Sequence, residues 1–171
     1  MCEKTNESLL DTSLCEYSAE DIAYMREAMS LARLAEDIDE VPVGALIVRD
    51  GKIIAKAYNT RETSKCATHH AEILAIEQAC STLGGWRLPG CTLYVTMEPC
   101  AMCAGAIINA RIPRVVFGAS DFRFGAFGSR INLAEAQLNH KPEVLGGVLA
   151  DEAAEVLSSY FKKKRKKSED N

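Results

Sequence analysis

The sequence predicts an α/β fold, a three-layer α/β/α sandwich around a central mixed five-stranded sheet. Three observations predict it. Short apolar, β-branched segments alternate with segments whose apolar residues recur at helical spacing, the pattern of helices covering a sheet on both faces. Two of the strand segments are joined by Asp50-Gly51, a two-residue hairpin signal that pairs them antiparallel. The chain has 171 residues, 47% of them hydrophobic, which suits one domain with a full core.

The elements follow in order. Residues 1–17 are polar and aperiodic and read as a flexible tail. Ser18 with Asp21 makes a helix start, a capping residue followed by an acidic first turn. Ile22, Met25, Met29, Ala32 and Leu34-Ala35 then build an apolar face that ends near Ile38. Residues 43–48 are a strand, 52–58 its hairpin return, and 59–68 a polar loop. A helix spans about 70–83 and stops at Gly84-Gly85, glycine being suited to a helix C-terminus. A strand over 92–97 runs into Glu98-Pro99-Cys100, and a short apolar helix follows over 101–110. Residues 114–118 form another strand, 119–142 are mostly loop, and 143–148 form the last strand. The final helix begins near Asp151, carries Ala154, Leu157, Tyr160 and Phe161 on one face, and dissolves into a basic run. The domain is therefore placed at 18–161, with 162–171 as the basic end of the last helix and its tail.

Composition narrows the class. Charged residues make up 26% and the net charge is −4, an ordinary globular balance rather than a disordered one. The N-terminus lacks a basic segment followed by an apolar run, so no secretory signal is expected. No apolar stretch approaches the ~18 residues of a membrane span. Seven cysteines, an odd number, argue against a disulfide framework and for a reducing, cytoplasmic setting. Cys2 and Cys15 fall in the tail, and Cys66, Cys80 and Cys91 read as small fillers. The acidic total argues against a nucleic-acid partner, yet residues 162–167 place six cations in succession. Lys162, Lys163, Lys164 and Arg165 are accordingly candidate phosphate contacts.

The chemistry is concentrated in a split constellation, His70-Ala71-Glu72 followed downstream by Pro99-Cys100-Ala101-Met102-Cys103. Alone, Cys100-x-x-Cys103 also fits a redox pair or half of a four-ligand structural zinc site. His70 and Glu72 upstream separate these readings. His70, Cys100 and Cys103 supply three ligands and leave a fourth tetrahedral position for water, the arrangement of a catalytic zinc. Cysteines three apart at the start of a helix share a face, and the helix N-terminus there favours thiolate. Pro99 suits the start of that helix. Positions 70 and 72 diverge around a helix axis and converge only at its terminus, where Glu72 is free to move protons. His69 competes with His70 but breaks the spacing. A structural-zinc binding module is the non-enzymatic alternative, and it requires His69 or Cys91 as a fourth ligand.

The motif from His70 to Cys103 resembles the cytidine/deoxycytidylate deaminase superfamily, whose zinc members carry H-x-E and P-C-x-x-C. Val41-Pro42-Val43-Gly44-Ala45, Asn59, the run from Leu93 to Ala106, and Arg114-Val115-Val116-Phe117-Gly118-Ala119 resemble the bacterial tRNA-specific adenosine deaminase family over about 18–165. The resemblance implies a cytidine deaminase-like sandwich, one Zn²⁺ per subunit, a homodimer and hydrolysis of the wobble adenosine of a tRNA anticodon stem-loop to inosine. In that reaction Glu72 takes a proton from water and delivers it to the purine while ammonia leaves. The resemblance further implies substrate contacts at Asn59, Asp121 and Arg123. The family commonly has Asp-Pro-Lys where this chain reads Asp121-Phe122-Arg123-Phe124. Phe122, Phe124 and Phe127 are suited either to stacking on RNA bases or to packing inside. The enzymatic alternative is a deaminase of free cytosine, cytidine or guanine on the same fold.

Overall fold

The computed structural model describes residues 17–169; Cys2, Cys15 and the segment expected as a flexible tail, apart from Tyr17, lie outside them. Helix α1 (Ala19–Asp37) is capped by Ser18, whose Oγ accepts from Asp21 N at 3.0 Å. Strands β1 (Gly44–Arg49) and β2 (Lys52–Tyr58) form the hairpin. Its turn residues Asp50 and Gly51 both have positive φ, 51° and 68°, the conformation that matches the twist of paired strands. A short helix α2 (Arg61–Ser64) occupies the segment expected to be loop. Helix α3 (Ala71–Leu83) ends on Gly84 in the left-handed region. Strand β3 (Cys91–Met97), helix α4 (Ala101–Asn109), strand β4 (Arg114–Ala119), strand β5 (Glu143–Gly146) and helix α5 (Ala150–Glu169) complete the chain.

The five strands lie in the order β2-β1-β3-β4-β5. β1 is antiparallel to β2 and β3, while β3, β4 and β5 are parallel, so the sheet is mixed. Both faces are covered, and the three inner strands β1, β3 and β4 are buried along nearly their whole length on both sides, as covered sheets require. Ala45 and Ile47 face a cluster with Ala71, Ala75 and Ala79 of α3 and Ala104 and Ile107 of α4. Their neighbours Leu46 and Val48 face Met25, Ala28 and Leu31 of α1. Ala153 and Leu157 of α5 join Met29 and Ala119 on the α1 side. The approach of α1 to the sheet requires Gly44, because a Cβ there would lie 2.1 Å from the Ala28 carbonyl oxygen.

Three differences from the expected elements have local causes. Tyr17 packs with the domain rather than the tail, its hydroxyl donating to Gly146 O at 3.3 Å. The last strand ends at Gly146, because Gly147 and Leu149 take positive φ and turn the chain into α5. α5 does not dissolve at the basic run but continues through it to Glu169. Lys163 and Lys164 reach back to Glu36 and Asp39 at 2.7 and 2.6 Å, and these pairs lie along the helix end.

Candidate active site

The site is built where two helices begin. His70 is the N-cap of α3 and Cys100 the N-cap of α4, both with extended backbone. Each is the last extended residue before its helix, so each side chain projects from the end of the layer rather than into it. Pro99 lies just outside α4 instead of in its first turn, and its carbonyl accepts Ala126 N at 2.9 Å. Cys103, the third residue of α4, is buried.

His70 Nδ1 lies 3.8 Å from Cys100 Sγ and 3.6 Å from Cys103 Sγ, and the three donor atoms all fall within 4.8 Å of one another. A tetrahedral zinc with its usual bond lengths sets nitrogen and sulfur about 3.6 Å apart and two sulfurs about 3.8 Å apart. The donor set therefore fits a zinc-sized ion in chemistry and spacing. Among the described residues, no other histidine, cysteine or carboxylate joins this group. His69 and Cys91 are not part of it, and Cys91 is buried at the foot of β3 with its thiol toward Pro89 O.

Charge in the site is shared. The Cys103 thiol, with His70 assisting, holds Cys100 down to about 4. Cys103 is pushed up by that Cys100 sulfur and by burial. The neighbouring Cys100 sulfur raises His70. The group without metal is thus one thiolate beside a thiol and a basic imidazole, and it releases protons on taking up a cation. Glu72, the second residue of α3, is 4% exposed. Burial pushes its carboxyl up, a change that favours the protonated form relative to an exposed glutamate. It also interacts with the Cys103 thiol, so the carboxyl lies on the metal side of the helix start.

Asn59 follows β2 and is buried, with Nδ2 donating to Glu40 Oε2 at 3.0 Å. The other Glu40 oxygen accepts Thr63 N, the N–H of a residue in α2, at 2.6 Å. A carboxylate only accepts, so Glu40 turns the Asn59 amide nitrogen toward itself and orients Oδ1 away. Asp121 is buried, and its Oδ1 accepts the N–H groups of Arg123 and Phe124 at 2.9 and 3.1 Å. That carboxylate shapes its own loop, while Arg123 is exposed. Phe127 is buried in the core, whereas Phe122 and Phe124 are 78% and 68% exposed. Lys162, Lys163 and Arg165 are exposed on α5, and Lys164 is half-buried. Of these, Lys163 and Lys164 are paired with carboxylates at the end of α1.

Two carboxylates escape sequence reasoning. Glu40 is fully buried, and Glu98, between β3 and Pro99, is 2% exposed. Glu98 Oε2 accepts Asp121 N, and Oε1 accepts Phe127 N and Ser129 N, each at 3.0 Å. Burial works to raise Glu98, but these donors outweigh it and hold the group below the usual carboxylate range. For Glu98 the available signal was a lone acid after an apolar strand; Glu40 is the last of the acids in Glu36-Asp37-Ile38-Asp39-Glu40 and carries no such mark.

A profile of the MafB19-like deaminase family matches residues 19–165. Over 149 residues the chain is 50% identical to a tRNA-specific adenosine deaminase of Bacillus subtilis strain 168, covering 86% of this chain and 92% of that one. The chain belongs to the tRNA-specific adenosine deaminase family. A second deaminase of that name, from Haemophilus influenzae, is 46% identical over 85% of each chain. Among solved structures, one from a study of A-to-I editing by tRNA deaminases at the wobble position matches with a TM-score of 0.77 and 44% identity. It covers 79% of this chain and 99% of that chain. A guanine deaminase from Nitrosomonas europaea matches less closely, with a TM-score of 0.67 and 26% identity over 84% of each chain. The deaminase shares its mixed sheet with both. Among its described residues, no helix is long and apolar enough to cross a membrane.

Proposed function

We propose that the chain hydrolyses the wobble adenosine of a tRNA anticodon to inosine, releasing ammonia. The observation that carries the reading is the three-donor group at two helix starts with the buried Glu72 carboxyl beside it. The substrate follows from the family, since the relatives at 50% and 46% identity are named for tRNA adenosine. The 26% identity to a guanine deaminase makes a free purine base the weaker reading.

In this reading one zinc ion per subunit is held by His70 Nδ1 and by the sulfurs of Cys100 and Cys103. When bound, zinc supplies the Lewis acidity that makes water a nucleophile at neutral pH. Glu72 would take one proton from the attacking water and give it to the purine ring nitrogen. As oxygen adds at C6, Glu72 passes the second proton to the departing amino group, so that water and adenosine become inosine and ammonia. Asn59, fixed by Glu40, offers Oδ1 toward the substrate. Arg123 and exposed cations of α5 contact phosphates. In this reading the protein works as a homodimer in the cytoplasm, as the family resemblance implies.

The test offers the zinc-loaded protein an anticodon stem-loop with adenosine at the wobble position and, in parallel, free adenosine, cytidine and guanine. Inosine in the stem-loop alone is expected. Turnover of a free base with the stem-loop untouched overturns the assignment. Truncation after Phe161 is expected to weaken stem-loop binding and flatten its salt dependence; an unchanged slope removes the α5 cations from the interface.

A further inference from the structure

We infer that Phe122, Arg123 and Phe124 form a preorganised stacking platform that grips the nucleotides flanking the target base in a single-stranded RNA loop. The inference rests on the proposed RNA substrate and names the part of it this turn recognises.

The turn is held at both ends. Asp121 N donates to the buried Glu98 carboxylate, and Asp121 Oδ1 accepts the N–H groups of Arg123 and Phe124. Gly125 N closes the turn on Asp121 O at 2.8 Å. Gly125 then pairs antiparallel with Cys100, and Ala126 N donates to Pro99 O. No larger residue fits at Gly125, since a Cβ there would lie 2.5 Å from both Asp121 O and the Glu98 carboxyl carbon. The backbone under the two rings is therefore fastened to the start of α4, where Cys100 sits.

The rings themselves are left in water at 78% and 68% exposure, although Phe127 in the same run is buried. Leaving a large apolar side chain exposed forgoes the stabilisation its burial gives. Two such rings on an ordered turn are a surface for a flat partner, and order in advance reduces the entropy lost on binding. Unstacked loop bases present flat faces to aromatic side chains, and the exposed Arg123, between the two phenylalanines in sequence, supplies a cation for a neighbouring phosphate. Phe124 precedes the residue opposite Cys100, so the platform borders the metal site rather than filling it. Its occupants are the neighbours of the reacting base.

Binding of a labelled anticodon stem-loop is read by fluorescence anisotropy, using zinc-loaded protein in the Glu72→Ala background so that substrate is not consumed. Phe122→Ala and Phe124→Ala are each expected to raise Kd by roughly 5- to 150-fold, and Phe→Tyr at the same positions to restore it. Replacing one flanking nucleotide by an abasic site should cost a similar factor, and the loss should not add to that of the matching Phe→Ala change. Additive losses, or no loss, overturn the platform. Sedimentation of the double Phe→Ala variant should match that of the parent, and a smaller species would assign the rings to contact between two copies, also overturning it. If the parent binds no RNA, the platform and the proposed substrate fall together. If the parent edits the stem-loop and the rings prove indifferent, the platform alone fails.

Discussion

Glu72 stands two residues beyond His70, yet both serve one point in space because the helix starts between them. His70 is still extended and Glu72 is already in the first turn. This separates the two roles cleanly. Glu72→Gln is expected to keep its metal, measured as zinc per chain, while turnover falls at least about 100-fold; Cys100→Ala should lose the metal itself. An active Glu72→Gln enzyme would show that another group carries the proton. Glu40 works one step removed, through Asn59. Glu40→Gln exchanges an acceptor-only group for one that also donates, freeing the Asn59 amide to turn over. We expect KM for the stem-loop to rise about tenfold, with kcat reduced less and metal content unchanged, from loss of a hydrogen bond to a charged acceptor. Equal falls in kcat and kcat/KM would instead place Glu40 in the chemical step.

At the scale of elements, helices and strands were legible because their apolar periods were strong, and the helix starts at Ser18, His70 and Cys100 were marked by residue chemistry. The convergence of three metal-type donors could be read for the same reason, as His70, Cys100 and Cys103 sit at local positions that sequence spacing describes. The clamps could not. Glu40 serves Asn59 and Thr63, while Glu98 serves Asp121, Phe127 and Ser129. Their partners are distant in sequence and largely backbone donors, which leave no trace in side-chain identity. Helix α2 escaped because its four residues are too few and too polar for a period. Phe127 and Phe122 look alike in sequence, and only the loop path between Cys100 and β5 sorts one inward and the other outward. Glu98→Gln is expected to loosen this loop. Hydrogen–deuterium exchange at the amides of Asp121, Phe127 and Ser129 should quicken, and unfolding free energy should fall by about 1.5–3 kcal/mol. Protected amides at all three positions would mean that the backbone bridge to Cys100 suffices.

At the scale of the molecule, Asp21 ties α1 across the sheet. Its carboxylate accepts two bonds from Arg114 at 2.8 and 3.0 Å and one from the Tyr94 hydroxyl at 2.9 Å. Arg114 is the chief cause that holds Asp21 below the usual carboxylate range. A depressed folded-state value adds stability above the unfolded-state value, near 3.9 for Asp. That contribution disappears as pH falls through the folded value. Arg114→Met is accordingly expected to destabilise the protein by about 2 kcal/mol at pH 7. The gap from the parent should narrow below about pH 4, as read by urea unfolding at the two pH values. A gap that widens in acid would reverse the assignment. The basic end of α5 is likewise tied down, with Lys163 and Lys164 answering Glu36 and Asp39, so the phosphates of the proposed RNA substrate would compete there with the protein's own acids.

The placement of the three ligands on two separate helix starts reaches beyond catalysis. Under the proposed function, an ion gripping His70 at the start of α3 and the cysteine pair at the start of α4 would rivet two helices that share one face of the sheet, and anything that binds only the folded form stabilises it. Heat resistance would then be coupled to metal supply, and a cell short of zinc would lose the protein to unfolding as well as to idleness.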